Sequence, residues 1–559
     1  MSQYTSFSTK WTDWLQRIHS KLGGPRQPPS SSITSPPSPA AETLPLARPP
    51  LPQLVALPED ALPAAVRQCA VAMKFLHLLG DLDWQNFPER SSERIWPGPI
   101  PTPRAAFVAA YLVKIDEEKR DMGKLRVFLV EHPALVWLLG FPLKPAAIAP
   151  WGFDAEASLP SRKHFNRVLR ELPNECLQFL LTGTVHSLHN AAPVEPAFGE
   201  TVSLDTKHIV AWVRENNPKV RMADRFDKQL QPKGDPECKL GCKSKDNHHS
   251  SGDAQSVSGS RPASDGAPAT NADSAPPMPA TPASEGLPAS QKLPALDKPK
   301  GDFYWGYASG VVASKIVLGE QVEPVEFALA EFTQTFDHGD ASYFFPLMQQ
   351  TERNLGHAPR FGALDKAYDT FYVHEYFHTS GGFAAVPWAD SAAHKKCFDE
   401  NGLPLCPAGL AMPLKSTFWQ KSNCLVPHQD GRFVCPLTCS EAGDLPCPIA
   451  HANALKGGCI TTLPTSIGNR IRHQLDRTSP EYKQLYKQRT ATERINSQAL
   501  ALGIEHPRLR NARSIANINT LIYVLINLRA LKRLRERQLG DISVLGHAAA
   551  ESEVTMPIC

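Results

Sequence analysis

The sequence contains no run of 18 or more consecutive apolar residues, about the minimum for a helix that crosses a membrane. Its most apolar stretch, residues 515–534, is interrupted by polar side chains at Asn517, Asn519, Asn527 and Arg529. The N-terminal segment MSQYTSFSTKWTDWLQRIHSK also lacks the apolar region of a secretory signal peptide. These absences predict a cytoplasmic protein without a membrane span.

The chain is too rich in aromatic residues to be wholly disordered and too rich in proline to be folded throughout. Its 559 residues include 24 Phe, 11 Tyr and 10 Trp, which disordered chains rarely carry. They also include 52 Pro, nearly twice the usual share of about 5%. At about 150 residues per domain, the length allows three or four domains. We therefore expect folded domains joined by Pro-rich tracts.

Positive charge is concentrated near the C-terminus, although the whole chain has a formal net charge of only +3. Residues 470–537 carry 15 Lys or Arg and five Asp or Glu. This asymmetry is typical of a surface that faces a polyanion, although solvated helix faces give the same pattern. The last predicted helix ends in the basic run LKRLRER, which favours contact with DNA phosphates.

Hydrophobic periodicity predicts a helical N-terminal region. Residues 1–22 fit a short amphipathic helix, and residues 23–60 form a Pro- and Ser-rich tract that we interpret as a disordered linker. Apolar residues then recur at helical spacing in four segments between residues 61 and 195. We predict a small, all-helical domain over that range.

From residue 196 the pattern changes to that of an α/β domain with a mixed sheet. Three strand-like segments are followed by helix, strand, helix and strand, over residues 196–243 and 301–387. A low-complexity insert without aromatic residues interrupts them at 244–300, and we expect it to be disordered. The rest divides into a Cys-rich insertion, C-terminal helices and a tail, at residues 388–470, 471–540 and 541–559.

Two acidic residues occupy positions in the predicted sheet at which a carboxylate needs a partner. Asp205 interrupts the apolar strand VSLDTKHIVAW, where an unpaired charge would be costly. Asp365 ends the later strand GALD, and active sites of α/β sheets form at strand ends. Taken alone, Asp205 also fits the role of a cap or turn residue.

A third acidic residue shares a predicted helix with a tyrosine and an arginine. Tyr486, Arg489 and Glu493 stand at positions i, i+3 and i+7, and so project from one helical face. An Arg one turn before a Glu can steady the carboxylate or hold a phosphate, although Glu493 alone also fits a surface ion pair. Together, Asp205, Asp365 and Glu493 form an oxygen-only ligand set, which suits Mg²⁺ or Mn²⁺.

These residues resemble the Asp-Asp-Glu (DDE) signature of bacterial insertion-sequence transposases, in particular the branch with a Tyr-x2-Arg-x3-Glu helix. The likeness is carried by Asp205 in SLDTKHI, Asp365 in ALDKAYD, and the run from Tyr486 to Glu493. The segment FYWGYASG also resembles the Gly-Tyr hairpin that follows the first catalytic strand of that family. The resemblance covers roughly residues 60–540.

The resemblance implies a ribonuclease-H-like core, with an insertion before the helix that carries the catalytic Glu. Asp205, Asp365 and Glu493 would hold two Mg²⁺ or Mn²⁺ ions for DNA strand cleavage and strand transfer. Tyr486 and Arg489 would position a DNA phosphate beside Glu493. The helical N-terminal region would bind the ends of the element. The family also implies a homodimer that holds two ends, in a nucleoid-associated cytoplasmic location.

Two positions depart from the family pattern. The lysine expected seven residues after the catalytic Glu is Leu500, so Lys487 or Arg494 would have to take over its DNA contact. In the second Asp motif, Ala367 replaces a glycine. Neither position supplies a metal ligand. Both leave open an alternative interpretation, a catalytically inactive DNA-binding relic.

A short motif supports a second alternative, a zinc metallopeptidase. His374, Glu375 and His378 match the HExxH helix, in which the two His bind zinc and the Glu acts as general base. The position of the third ligand in one large class of these enzymes is Ala384, which cannot bind a metal. An ordinary helix between two strands of the sheet explains the same residues.

The Cys-rich insertion offers a possible zinc site of another kind. Seven of the 12 cysteines fall within residues 397–459, and Cys435 and Cys439 form one candidate half-site. The spacings do not repeat as CxxC pairs, which weakens the zinc interpretation. Reduced structural thiols are the other interpretation, since a cytoplasmic chain rarely holds disulfides.

Overall fold

The computed structural model describes residues 43–90, 101–192, 198–244, 301–318, 323–389, 395–422, 424–438, 447–449, 453 and 458–552. Several predicted features lie outside these residues, namely the helix at 1–22, residues 245–300 of the insert, residues 553–559 of the tail, and Cys439.

The N-terminal region is helical, as the periodicity predicts. Its helices are α1 Leu51–Leu54, α2 Ala64–Arg67, α3 Ala70–Gly80, α4 Arg104–Asp116, α5 Met122–Glu131, α6 Pro133–Leu139, α7 Ala155–Ser158, α8 Arg162–Glu171 and α9 Asn174–Ala191. Two short antiparallel strands, β1 Lys144–Pro145 and β2 Phe153–Asp154, lie among them. Side-chain caps fix some helix starts, such as that of α5, where Asp121 accepts hydrogen bonds from two backbone N–H groups.

The packed fold begins before the predicted end of the linker at residue 60. Leu44, Leu51 and Leu54 are buried in the same core as α6, and Trp137 Nε1 donates to the Pro45 carbonyl at 2.8 Å. The prediction of disorder is therefore wrong for residues 44–60. The high proline content predicted disorder, but these prolines flank short helices whose leucines are buried in the core.

The second part of the molecule is a mixed α/β fold. Its sheet consists of β3 Thr201–Val210, β4 Lys239–Ser244, β5 Gly301–Ile316, β6 Val325–Thr335, β7 Phe361–Leu364 and β8 Phe383–Ala385. The strand order is β4-β5-β3-β7-β8, and β6 pairs with the part of β5 that β4 leaves uncovered. β5 is antiparallel to its neighbours, whereas β7 and β8 run parallel to β3. The predicted strands and their mixed arrangement are confirmed.

Two helices connect the later strands, and further elements follow the sheet. The connecting helices are α10 Phe344–Leu355 and α11 Phe371–Thr379. The described part of the Cys-rich insertion contains a three-stranded antiparallel sheet of β9 Leu414–Gln420, β10 His428–Val434 and β11 Ile460–Pro464. The final helices are α12 Ile467–Gln474, α13 Pro480–Tyr486, α14 Thr490–Ala501 and α15 Ala512–Ser552.

Helix α15 joins the helical region to the sheet. Its side chains from Ile515 to Leu528 lie in the core shared with the N-terminal helices, whereas Leu531 and Leu534 lie in the core beneath the sheet. The side-chain amide of Asn527 pairs with the backbone of β6 as a neighbouring strand would. It accepts a hydrogen bond from the Ala328 N–H and donates one to the Ala328 carbonyl, both at 2.8 Å. The helical region is therefore a layer of one compact unit that begins at Leu44, rather than the separate domain that was predicted.

Helix α15 is also the one helix, among the described residues, that is long and apolar enough to cross a membrane. Its apolar window within Ala512–Gln538 is 89% buried inside the fold. The apolar character of the helix is therefore accounted for by packing. The absence of a membrane span stays a prediction.

Candidate active site

The register of two parallel strands places two of the predicted carboxylates side by side. Leu204 of β3 lies opposite Leu364 of β7, so Asp205 and Asp365 occupy the next position on each strand. β7 ends there, whereas β3 continues to Val210. Asp365 turns the chain away from the sheet, and its Oδ1 accepts from the Lys366 N–H at 2.6 Å. The two carboxylates therefore meet where one strand stops beside another.

A third carboxylate, which the sequence analysis missed, joins this pair. Asp340 begins a short 3-10 helix after β6, and its Oδ1 accepts a hydrogen bond from Thr206 Oγ1 at 2.8 Å. Thr206 follows Asp205 on β3, so the Asp340 carboxylate is held at the same place in the sheet. No motif marks Asp340 in the sequence, because it lies in a turn and reaches the site only through the fold.

Two of the three aspartates, Asp205 and Asp340, are buried without enough positive charge nearby to offset the burial. Burial raises the pKa of Asp205 to about 6, and repulsion from Asp340 and Asp365 contributes to the rise, although the Thr206 N–H and Arg489 oppose it. Burial likewise raises the pKa of Asp340, with a contribution from Asp365. Carboxylates held together in this way favour a proton or a cation between them. A divalent ion is the cation that best matches an all-oxygen set.

Helix α14, which carries the predicted Glu493, packs against the same strand. Asn496 Nδ2 donates to Asp205 Oδ2 at 3.0 Å, and the Thr492 N–H donates to Ser203 Oγ at 3.2 Å. Asn496 lies one turn after Glu493, so both residues are on the face of α14 near β3. Asn496 was not among the predicted site residues, although it stands one helical turn from Glu493 in the sequence.

Arg489 lies among the predicted metal ligands and is paired with one of them. Its Nη2 donates to Glu493 Oε1, and its guanidinium lies 5.9 Å from the centre of the Tyr486 ring. Burial alone would lower the pKa of Arg489, but Glu493, Tyr486, Asp205 and Asp365 together raise it. Arg489 is thus the positive charge that the three predicted carboxylates share.

The predicted carboxylates have the chemistry of a cation site, but they do not surround one common point in this structure. Among the described residues, no three His, Cys, Asp or Glu side chains converge closely enough to hold one metal ion. Asp205 and Asp365 are neighbours, but Glu493 is held by Arg489. Glu493 would have to leave Arg489 before all three carboxylates could share ions.

The predicted DNA-contacting cations lie in different surroundings. Arg494 donates to Glu326 Oε1 at 2.6 Å, at the start of β6, and so is engaged away from the aspartates. Lys487 is exposed, two residues before Arg489. At the basic end of α15, Arg529 and Arg535 pair with acidic residues of the N-terminal helices, Asp116 and Asp81. Those two arginines therefore make ion pairs within the fold, and the contact of this basic end with DNA stays a prediction.

The zinc-peptidase motif forms part of the interior. His374 is buried and its Nε2 lies 3.1 Å from Asp369 Oδ1, whereas His378 is exposed. Burial lowers the pKa of His374, which favours the neutral ring. The other zinc candidate, Cys435, lies in a small buried cluster with Cys406, Cys459 and Met412. Burial raises the pKa of the Cys459 thiol, and the neighbouring Cys406, Cys435 and Cys447 add to the rise. Among the described residues no three His, Cys, Asp or Glu side chains are arranged to hold a metal ion, and zinc at these cysteines stays a prediction.

Asp369 is a further residue that was not among the predicted site residues. Its fully buried carboxylate accepts hydrogen bonds from Arg472 Nη2 at 2.9 Å, from Arg477 Nη2 at 3.1 Å, and from the Ala389 N–H at 3.0 Å. Burial would raise the pKa of Asp369, but the bonds from His374, Arg472 and Ala389 lower it to about 2. This carboxylate therefore fastens the segment that leads into α13 and α14 to the end of the sheet.

Comparison of the chain with protein-family models, with curated proteins and with solved structures finds no match. The functional conclusion therefore depends on the residues and contacts described above.

Proposed function

We propose that this protein is a DDE transposase with a ribonuclease-H-like core, which cleaves DNA strands at the ends of a mobile element and joins them to target DNA. The observation that carries the proposal is the register between β3 and β7, which puts Asp205 beside Asp365, with the Glu493 helix packed on the same strand. The order of elements also suits such a core. Three antiparallel strands are followed by two strands parallel to the first, and the helix with Glu493 comes after the insertion.

Each residue has a defined task in this proposal. Asp205, Asp365 and Glu493 would hold two Mg²⁺ or Mn²⁺ ions, which supply an activated water and stabilise the leaving oxygen. Asn496 fixes the rotamer of Asp205 through its amide. Because the reaction is an in-line displacement at phosphorus, the 3′-hydroxyl released by cleavage can itself attack target DNA.

Arg489 provides a switch between the DNA-free and DNA-bound arrangements. Without DNA it neutralises Glu493 and the neighbouring aspartates. A DNA phosphate offers the guanidinium two oxygens in a matching geometry. Once Arg489 turns to the phosphate, Glu493 is free to join Asp205 and Asp365 around the ions.

A non-catalytic DNA-binding relic is the second candidate. It is favoured by the ion pair between Arg489 and Glu493, which a protein that never binds metal would retain permanently. It is also favoured by Leu500, at a position where the family places a lysine. The two candidates differ in whether the protein cuts DNA in the presence of Mn²⁺.

Glu493→Gln is expected to reduce Mn²⁺-dependent nicking by roughly 10²- to 10³-fold, because one metal ligand is worth several kcal/mol of charge stabilisation in the transition state. The substrate is a supercoiled plasmid that carries the DNA flanking both sides of the coding region, and nicked circles are measured with Mn²⁺ and with a chelator. The matched control is Glu481→Gln, an exposed carboxylate on the preceding helix, which should retain activity.

The proposal fails if Glu493→Gln cuts as fast as the unchanged protein, or if cleavage persists in the chelator. Specific binding of the flanking DNA without any nicking would establish the relic instead.

A further inference from the structure

A large basic cavity lies apart from the carboxylates. It has a volume of about 850 Å³ and forms where the end of α4, the loop after β3 and the loop between α14 and α15 meet. Glu118 is the one acidic residue in its lining, among the described residues. Six cationic side chains line it, namely Lys114, Lys119, Arg120, Arg214, Arg508 and Arg510.

Several of these cations have no acidic partner. In the stretches that the structure describes, Lys114, Arg120 and Arg508 make no ion pair within 4.0 Å. Burial lowers the pKa of Lys114 to about 8, and Asp121 only partly opposes this effect. A positive charge kept from water without a counter-ion is unfavourable, so the cavity is suited to an anion.

An aromatic side chain stands at the same cavity. Trp212 is 50% exposed, unusual for so large an apolar surface, and the Arg510 guanidinium lies 4.9 Å from its ring centre. The backbone beside it is fixed, because the Ala211 N–H donates to the Trp305 carbonyl at 2.9 Å. A half-exposed indole on a fixed backbone, next to cations, is the combination that stacks a nucleobase beside its phosphates.

The cavity is connected to the carboxylate site by one strand and one helix. The part of β3 between Asp205 and Val210 is about 17 Å long at the usual rise per residue. α14 runs beside it, and the Val210 N–H donates to the carbonyl of Glu505, just beyond the helix, at 2.9 Å. A DNA strand bound in the cavity would therefore reach the aspartates within a few nucleotides.

We propose that this cavity binds a single-stranded segment of DNA, with phosphates against Lys114 and Arg508 and one base stacked on Trp212. Free phosphate would satisfy the cations but would leave the indole unused. A duplex would present its bases to each other rather than to Trp212. The choice of DNA over RNA rests on the proposed function, whereas the binding itself requires no catalysis.

The test uses the full-length protein carrying Asp205→Asn, in a chelator, and the fluorescence anisotropy of a labelled 12-nucleotide thymidine DNA. Trp212→Ala is expected to weaken binding by roughly 5- to 100-fold, because one stacked base is lost, while Trp212→Phe retains most of the affinity. Lys114→Met should reduce the slope of log affinity against log salt by about 0.7, which corresponds to one phosphate contact on a single strand. The matched control is Lys421→Met, an exposed cation in the insertion, which should change neither value.

The proposal is overturned if Trp212→Ala and Lys114→Met bind as tightly as their parent with unchanged melting temperatures. It is also overturned if the protein prefers a 12-nucleotide RNA, or if inorganic phosphate binds the cavity while the oligonucleotide does not. Binding that depends on Trp212 in a protein that never nicks DNA would uphold the cavity proposal and refute the catalytic one.

Discussion

Asp205→Asn is expected to abolish metal-dependent DNA cleavage and, at the same time, to stabilise the metal-free protein. Asp205 lies beside Asp365 and is hydrogen-bonded to Asn496 on the helix that carries Glu493, so its loss removes one of the residues that would hold the ions. A reduction of roughly 10³-fold or more in nicking follows if each ion loses a few kcal/mol of transition-state stabilisation. The amide can still pair with Asn496, so the local fold should survive.

The stabilisation follows from the direction of the pKa shift. Because burial raises the pKa of Asp205 to about 6 from an ordinary value of 3.8, the folded state binds a proton more readily than the unfolded state. Ionisation therefore disfavours folding as pH rises from about 4 to 6, by up to about 3 kcal/mol, and the penalty then stays constant. At pH 8 without metal, Asn should remove most of this cost.

Urea unfolding in a chelator at pH 8 measures this effect, and the nicking assay measures activity. Added Mn²⁺ should stabilise the unchanged protein but not Asp205→Asn. Asp337→Asn, an exposed carboxylate three residues before Asp340, is the matched control and should leave both measurements unaltered. A variant that is destabilised in the chelator would show that Asp205 is a structural residue rather than a cation ligand.

Asp369→Asn is expected to destabilise the protein by roughly 3–5 kcal/mol, the usual cost of removing one partner from a buried ion pair. Arg472 and Arg477 would keep their charges in the interior without the carboxylate that both now contact. The loss should appear as a lower urea midpoint. Asp337→Asn again provides a control of the same chemistry at an exposed position.

At acid pH, the free energies of unfolding of Asp369→Asn and of the unchanged protein should differ less than at neutral pH. The folded pKa of Asp369 is about 2 and its ordinary value is 3.8, so its ionised form favours folding. That contribution, about 2 kcal/mol, is fully present above about pH 4 and is lost as pH falls towards 2. Unfolding free energies of both proteins at pH 2.5, 4 and 7 measure this. A difference that does not change with pH would show that Asp369 is not the charged partner of the arginines.

The sheet was predictable because its strands carry local signals. β3, β5 and β6 are rich in β-branched and aromatic residues, and α10 and α11 show helical spacing between the later strands. The placement of Asp205 within one strand and of Asp365 at the end of another was also readable from the local sequence. The register that puts the two carboxylates side by side comes from the fold and leaves no local signal.

The contacts that hold the site together were not predictable in the same way. Asp340 reaches Asp205 through Thr206 after a turn of the chain, and Asp369 meets Arg472 across 103 residues. Neither pairing leaves a periodic signal, since each is produced by the tertiary fold. The packing of residues 44–60 was missed for a related reason, because their leucines find a core only when α6 is in place.

The position of α15 has a consequence for how the protein is made. The helix supplies the inner side chains of both cores, and Asn527 completes the edge of β6 from within it. During synthesis, the N-terminal helices and the sheet emerge from the ribosome long before residues 515–534 do. Their apolar faces therefore stay uncovered until translation is almost finished, and a product cut short before α15 is expected to expose them and aggregate.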